Sequence, residues 1–191
     1  IKVFRGIPKE LISMEQFWKH SISCGIIARC LATYLREGNV ERYFVTGILH
    51  DVGQLVMCAA LPEAMRETIM KSRESQRLYH FSERQLLGFD HPEVGALLFR
   101  AWKIPASVYE PVACHHMPGK AKQFPLEAAV IHLSDLICHG LGFGASAEWC
   151  VPSFDESAWQ RLGLPAGMLE TVIKQAEPQI EETCAILTEE T

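Results

Sequence analysis

Residues 47–57 read GILHDVGQLVM, an apolar run of helical character with a histidine and an aspartate side by side at its centre. A carboxylate set among apolar side chains costs several kcal/mol unless it is paired or bound to a cation. Neighbouring positions on a helix point about 100° apart. His50 and Asp51 could therefore grip a metal from two sides of one groove, or Asp51 could bridge two metals. Gly53, with no side chain, lets another helix or a ligand come close.

Helical periodicity continues on both sides of this stretch. Phe17, Ile22, Ile26, Ile27, Leu31 and Tyr34 recur at three- and four-residue spacing. Ser13 and Gln16 form the pattern of a capping box at the start of a helix over 13–35, and Gly38-Asn39 ends it. Residues 41–60 are expected to form one helix, closed by Leu61, and Pro62 opens the next as a first-turn residue. Further helices are expected at 82–87, at 91–103 behind the cap Asp90, from Pro105 to the paired histidines, at 125–141, at 155–161 and at 165–187. No segment alternates with β-branched enrichment, so no strand is expected. The reading is an all-α helical bundle around one core.

The chain has 191 residues, 48% of them hydrophobic and 21% charged, with a formal net charge of −5. That is globular composition, and without a basic cluster it argues against nucleic acid or an anionic membrane as partner. A phosphorylated small molecule held at one local spot stays compatible with it. The cysteines at 24, 30, 58, 114, 138, 150 and 184 never fall as C-x-x-C and mostly sit among apolar residues, which points to a reducing cytoplasm. No apolar run reaches the roughly 18 residues expected of a membrane span, and no signal peptide is visible. The chain starts at Ile1, so it is read as part of something longer.

The polar residues inside apolar segments form a series: His20, His50-Asp51, His91, His115-His116 and Asp135, each on a different expected helix or at its end. Imidazoles and carboxylates suit divalent Fe, Mn, Zn, Ni or Co, one ion or two. Each member alone has an ordinary explanation. A buried histidine can be a hydrogen-bonded core residue, His115-His116 can favour a helix C-terminus, and Asp90 with His91 can be a plain N-cap. The combined order is what points to a metal site. His80, His132 and His139 fall outside the series and are read as surface or supporting groups. Of these, His132 is the best supporting candidate, three residues before Asp135. Cys114 is read as core, and Trp18, Trp102 and Trp159 as packing residues.

Five segments resemble the HDOD domain: FWKHS at 17–21, GILHDVGQL at 47–55, HPEVGALLFRAWKIP at 91–105, VACHHMP at 112–118 and VIHLSDLIC at 130–138. That family is a signalling branch of the HD metal-dependent phosphohydrolases and is related to HD-GYP. The resemblance covers residues 13–142 and implies an all-α fold, a bacterial cytoplasmic setting and an output or scaffold role. It places His20, His50, Asp51 and Asp135 on a primary metal and His91 and His115 on a second. His116, His132 and Gln54 are possible additions, and Asp51 is the best catalytic candidate. Gln54 stands where HD-GYP enzymes carry a lysine, which removes a cation for substrate phosphate. The HHE-x-x-DG-x-GYP signature is absent, so cyclic di-GMP hydrolysis is not implied.

The expected organisation is a lead-in at 1–12 with an upstream HDOD lobe missing, an HD-type core at 13–142, and a C-terminal helical extension at 143–191 packing on it. Three functions compete. One is a weak metal-dependent phosphohydrolase, in which a metal would activate water and offset phosphoryl charge. Another is an interaction module with a vestigial site that contacts a signalling protein. The third is a di-iron redox protein.

Overall fold

A computed structural model describes residues 7–189. Within it the chain is all-α, with ten α-helices and one 3₁₀ turn among the described residues. They are α1 (Met14–Tyr34), α2 (Val40–Leu49), α3 (Val52–Ala60), α4 (Pro62–Ser75), α5 (Tyr79–Leu87), α6 (His91–Ala101), α7 (Ala106–Cys114), α8 (Pro125–Leu141), α9 (Glu156–Leu162) and α10 (Met168–Glu189). The 3₁₀ turn spans Pro118–Lys120, between α7 and α8.

Local chemistry sets the boundaries. Ser13 Oγ accepts from the Gln16 amide at 3.4 Å, and Asn39 and Asp90 cap α2 and α6 in the same manner. Pro62 and Pro125 open α4 and α8, where a missing N–H is harmless. Gly88 and Gly142 end α5 and α8 with left-handed φ of 84° and 70°.

The expected single helix over 41–60 is two helices. α2 ends at Leu49, and Asp51 (φ −99°, ψ 5°) becomes the N-cap of α3. His50-Asp51 thus lies at a corner, where both side chains can face one point. The helix expected at 82–87 starts earlier, at Tyr79, and the one expected at 91–103 ends earlier, at Ala101.

α1 and α8 are the two central helices. Ile26, Ile27 and Leu31 of α1 pack with Val130, Ile131 and Cys138 of α8, and Val172, Ala176 and Ile180 of α10 close the same core. Glu177, Glu181 and Glu182 face outward. A second cluster joins Phe17, Leu55, Met57, Met65 and Tyr79. α3 and α6 touch backbone to backbone, since a Cβ on Gly53 would lie 2.0 Å from the His91 carbonyl oxygen. The close approach that Gly53 permits is therefore that of a helix.

Two expectations need correction. Trp102 is 62% exposed rather than a core residue, because α6 ends just before it. Val40–Ala60 as a unit is 21 residues long and apolar enough to span a membrane by composition, contrary to the expectation that no run would be. However, 61% of that window is buried within the domain, as in a core element. Cys24, Cys30, Cys58 and Cys138 are buried thiols.

Candidate metal centre

α1, the α2–α3 corner, α6, α7 and α8 each deliver one part of the polar series to one buried point. His20, His50, Asp51, His91, His115 and Asp135 are all at most 2% exposed. Asp51 stands at the centre. Its Oδ2 lies 3.5 Å from His50 Nε2 and 4.0 Å from His20 Nε2. Its Oδ1 lies 3.1 Å from His91 Nε2 and 3.6 Å from His115 Nε2. Asp135 Oδ1 is 3.1 Å from His20 Nε2 and 3.6 Å from His50 Nε2. His116 Nε2 completes the far side, 3.2 Å from His91 Nε2 and 3.1 Å from His115 Nε2.

These separations are those of donors that share an ion. Atoms ~2.1 Å from one metal sit ~3.0 Å apart at a right angle and ~3.4 Å apart in a tetrahedron. The outward sides of the rings are already engaged. His50 Nδ1 is 2.7 Å from the Gly47 carbonyl oxygen, His115 Nδ1 is 2.7 Å from that of Val112, and His91 Nδ1 is 2.6 Å from Glu83 Oε2. Each such contact takes an Nδ1–H and leaves Nε2 as a lone pair facing carboxylate oxygen, the usual arrangement around ligating histidines. Lone pairs facing anionic oxygens need a cation between them. His50 Nε2, Asp51 Oδ1 and Asp135 Oδ2 are buried without a hydrogen bond, so the residues present fit a metal.

Without a metal, protons fill that role. Burial disfavours imidazolium at His50, but the Asp51 charge together with Cys24 and Asp135 outweighs it and holds the ring well above its usual value. His91 is raised in the same way, against burial, by Glu83 and Asp51. Burial would raise both carboxyls, yet His50 and His91 draw Asp51 well below the carboxylate range, and His139 and His20 do the same for Asp135. Burial and the His50 charge push His115 down to about 3, and burial and His115 lower His116 strongly.

Three participants lie outside the expected series. Glu83 of α5 is fully buried and accepts from both the backbone N–H (3.0 Å) and Nδ1 of His91. Its sequence signal was faint: it lies four residues after Tyr79 on one face of α5. His80, expected as a surface or supporting group, is 2% exposed and stacked on His116 with ring centroids 4.3 Å apart. His139 is turned inward as well, with Nε2 3.2 Å from Asp135 Oδ1. His132 supports the centre: Nδ1 donates to the His115 carbonyl at 2.7 Å, and Nε2 accepts the Asp155 amide at 3.2 Å. Cys114 has its thiol pushed up by burial, which is the reverse of an activated nucleophile.

Gln54 does not stand in an open phosphate site. It is 1% exposed, and its Oε1 accepts the Ala147 amide at 3.0 Å. Ala147 belongs to a strap, residues 142–150, that ties the helices around the centre together. Gly144 (φ 74°) sits so tightly on α1 that a Cβ would lie 2.3 Å from the His20 amide nitrogen. The Ala145 amide donates to Gln16 at 3.1 Å, Glu148 accepts the Tyr79 amide at 2.8 Å, and Trp149 Nε1 donates to Arg77 at 3.0 Å.

Comparison with known proteins gives this arrangement a context. A family model for the HDOD domain matches residues 1–118. The match begins before the expected 13–142 and stops short of α8, so Asp135 lies beyond it. The fold is similar to that of an HDOD domain protein of unknown function from Geobacter sulfurreducens, with a TM-score of 0.75 and 19% identity over 89% of this chain and 61% of that one. A candidate signal-transduction protein from Marinobacter aquaeolei VT8 aligns with a TM-score of 0.73 at 18% identity, over 90% of this chain and 39% of that one. A candidate phosphohydrolase from Shewanella amazonensis SB2B gives 0.64 at 23% identity, over 97% and 64%. An uncharacterized protein of Treponema pallidum (strain Nichols) is 25% identical over 119 residues, 61% of this chain and 23% of that protein. The chain thus spans less than two thirds of the length of each of these relatives.

Proposed function

The chain belongs to the HDOD domain family, and we propose that it is a signalling module whose His/Asp centre binds one or two divalent transition-metal ions. His20, His50, Asp51 and Asp135 would hold one ion, and Asp51, His91, His115 and His116 a second. The observation that carries the reading is the division of Asp51, whose two buried oxygens face two separate groups of imidazoles. A metal bound there would supply Lewis acidity and lower the pKa of bound water.

The chain's own residues hold and orient that centre but do little to open it. Its donors are buried, and the residue at the lysine position of related hydrolases, Gln54, is engaged with the strap. We therefore place sensing or structural use of the metal, with contact to a protein partner as the output, ahead of efficient phosphodiester hydrolysis. Metal analysis of purified protein tests the first part: wild type should carry Fe, Mn, Zn, Ni or Co, and Asp51→Ala should not. Equal metal content in the two proteins would sink the proposal. Turnover of a generic phosphodiester should be weak or absent in the metal-loaded protein, and brisk turnover would make it a hydrolase. A visible absorption band in protein whose metal analysis gives two irons would favour di-iron redox chemistry.

A further inference from the structure

We propose that His139 is a fifth protein ligand of the ion held by His20, His50, Asp51 and Asp135, an assignment that rests on the metal reading above. His139 lies one helical turn after Asp135 at the last turn of α8, so both side chains leave the same face. Its Nε2 is 3.2 Å from Asp135 Oδ1, and its ring centroid is 4.6 Å from that of His20. Ligand atoms of His20, Asp135 and His139 all lie within 4.8 Å of one another, near the ~4.2 Å limit for two atoms ~2.1 Å from one ion.

Hydrogen bonding alone does not account for this packing. The Nε2 atoms of His20 and His139 lie within hydrogen-bond distance of Asp135 Oδ1, at 3.1 and 3.2 Å, while His50 Nε2 faces the same oxygen at 3.6 Å without a hydrogen bond. One carboxylate oxygen offers about two lone pairs, so those two rings fill it and His50 Nε2 is left unpaired. The other oxygen, Oδ2, has no hydrogen bond at all. A cation placed among the four groups satisfies every one of them. His139 is also the outermost of these donors, with its side chain 9% exposed where those of His20 and His50 are 0%.

The consequence bears on turnover. A catalytic metal keeps a coordination place for water or substrate, whereas a structural one is closed by the protein. A fifth side chain closes the first position, which favours the sensory or structural role.

The test is through-bond NMR on full-length protein loaded with ¹¹³Cd. Ring protons of His139 should show coupling to the metal, as those of His20 and His50 do. His139→Asn should lose its own coupling and keep the other two. The wild-type spectrum, assigned through backbone correlations, carries the test even if that variant does not fold. Coupling at His20 and His50 without His139 overturns this inference and leaves the proposed function standing. No coupling at any histidine overturns both.

Discussion

His50 shows what a single side chain contributes at this centre. Its Nδ1 is fixed by a backbone carbonyl, so whatever occupies Nε2, proton or metal, answers directly to Asp51. Because the pKa values of His50 and His91 are raised, both rings bind protons more tightly than a free histidine in the metal-free protein. A metal must displace those protons, so its apparent affinity should rise with pH until the folded-state pKa values are passed. Calorimetric titration in two buffers of different ionisation enthalpy should give different heats, and identical heats would rule out proton release. His80 has the opposite sign. Burial pushes it down to about 4, against 6.5 in an unfolded chain. Between those values the unfolded state takes up a proton that the folded state refuses, so stability falls as pH is lowered, by at most about 1.4 kcal/mol per unit from this group. His80→Phe, which keeps a ring against His116, should flatten the stability curve from pH 6.5 down to 4. An unaltered slope would show that His80 is not the group responsible.

At the scale of helices, α3 and α6 meet through a glycine. Gly53→Ala would drive a methyl group into the His91 carbonyl and separate the two helices that carry Asp51 and His91. Overpacking of that kind costs typically about 1–3 kcal/mol. The urea midpoint should fall accordingly, and an unchanged midpoint would mean that the contact yields without strain. The glycine itself was legible in the sequence, and so were the helices, because Phe17 to Tyr34 and Pro125 to Leu141 state their period over many turns. The corner at 50–51 was not, since residues on both sides of it are apolar and helical, and only tertiary contact at Asp51 turns the chain. The same limit applied to the centre. His20, the HD pair, His91, His115, His116 and Asp135 stood out as polar residues in apolar surroundings. Glu83, His80 and His139 sit among polar neighbours or near a helix end, where a charged side chain draws no notice until the fold buries it.

For the molecule as a whole, the strap at 142–150 matters most, and it revises the reading of Gln54. From the sequence, a lysine at this position should raise any residual hydrolysis by supplying a phosphate contact. In the structure Gln54 is buried and holds the Ala147 amide, so Gln54→Lys would bury an ammonium group and break that tie. Expected instead is a lower urea midpoint together with faster hydrogen exchange at Ala147, and no gain in turnover. A gain in turnover with Ala147 still protected would restore the earlier reading.

Burial of the donors also fixes how long a bound ion would stay. With His20, His50, Asp51 and Asp135 all at most 2% exposed, a chelator cannot reach the ion while the surrounding segments are closed. Release would wait on a spontaneous opening of the protein, and the strap, with few apolar anchors, is the element best suited to open first. The rate at which EDTA strips the metal should therefore level off as EDTA is raised, at a ceiling equal to the opening frequency. Gln54→Ala, which loosens the strap, should lift that ceiling without changing the ligands. A stripping rate that keeps climbing in proportion to EDTA would mean the ion is open to solvent. On this view the domain would act as a slow clock for metal supply, recording conditions over its own opening time rather than following each fluctuation.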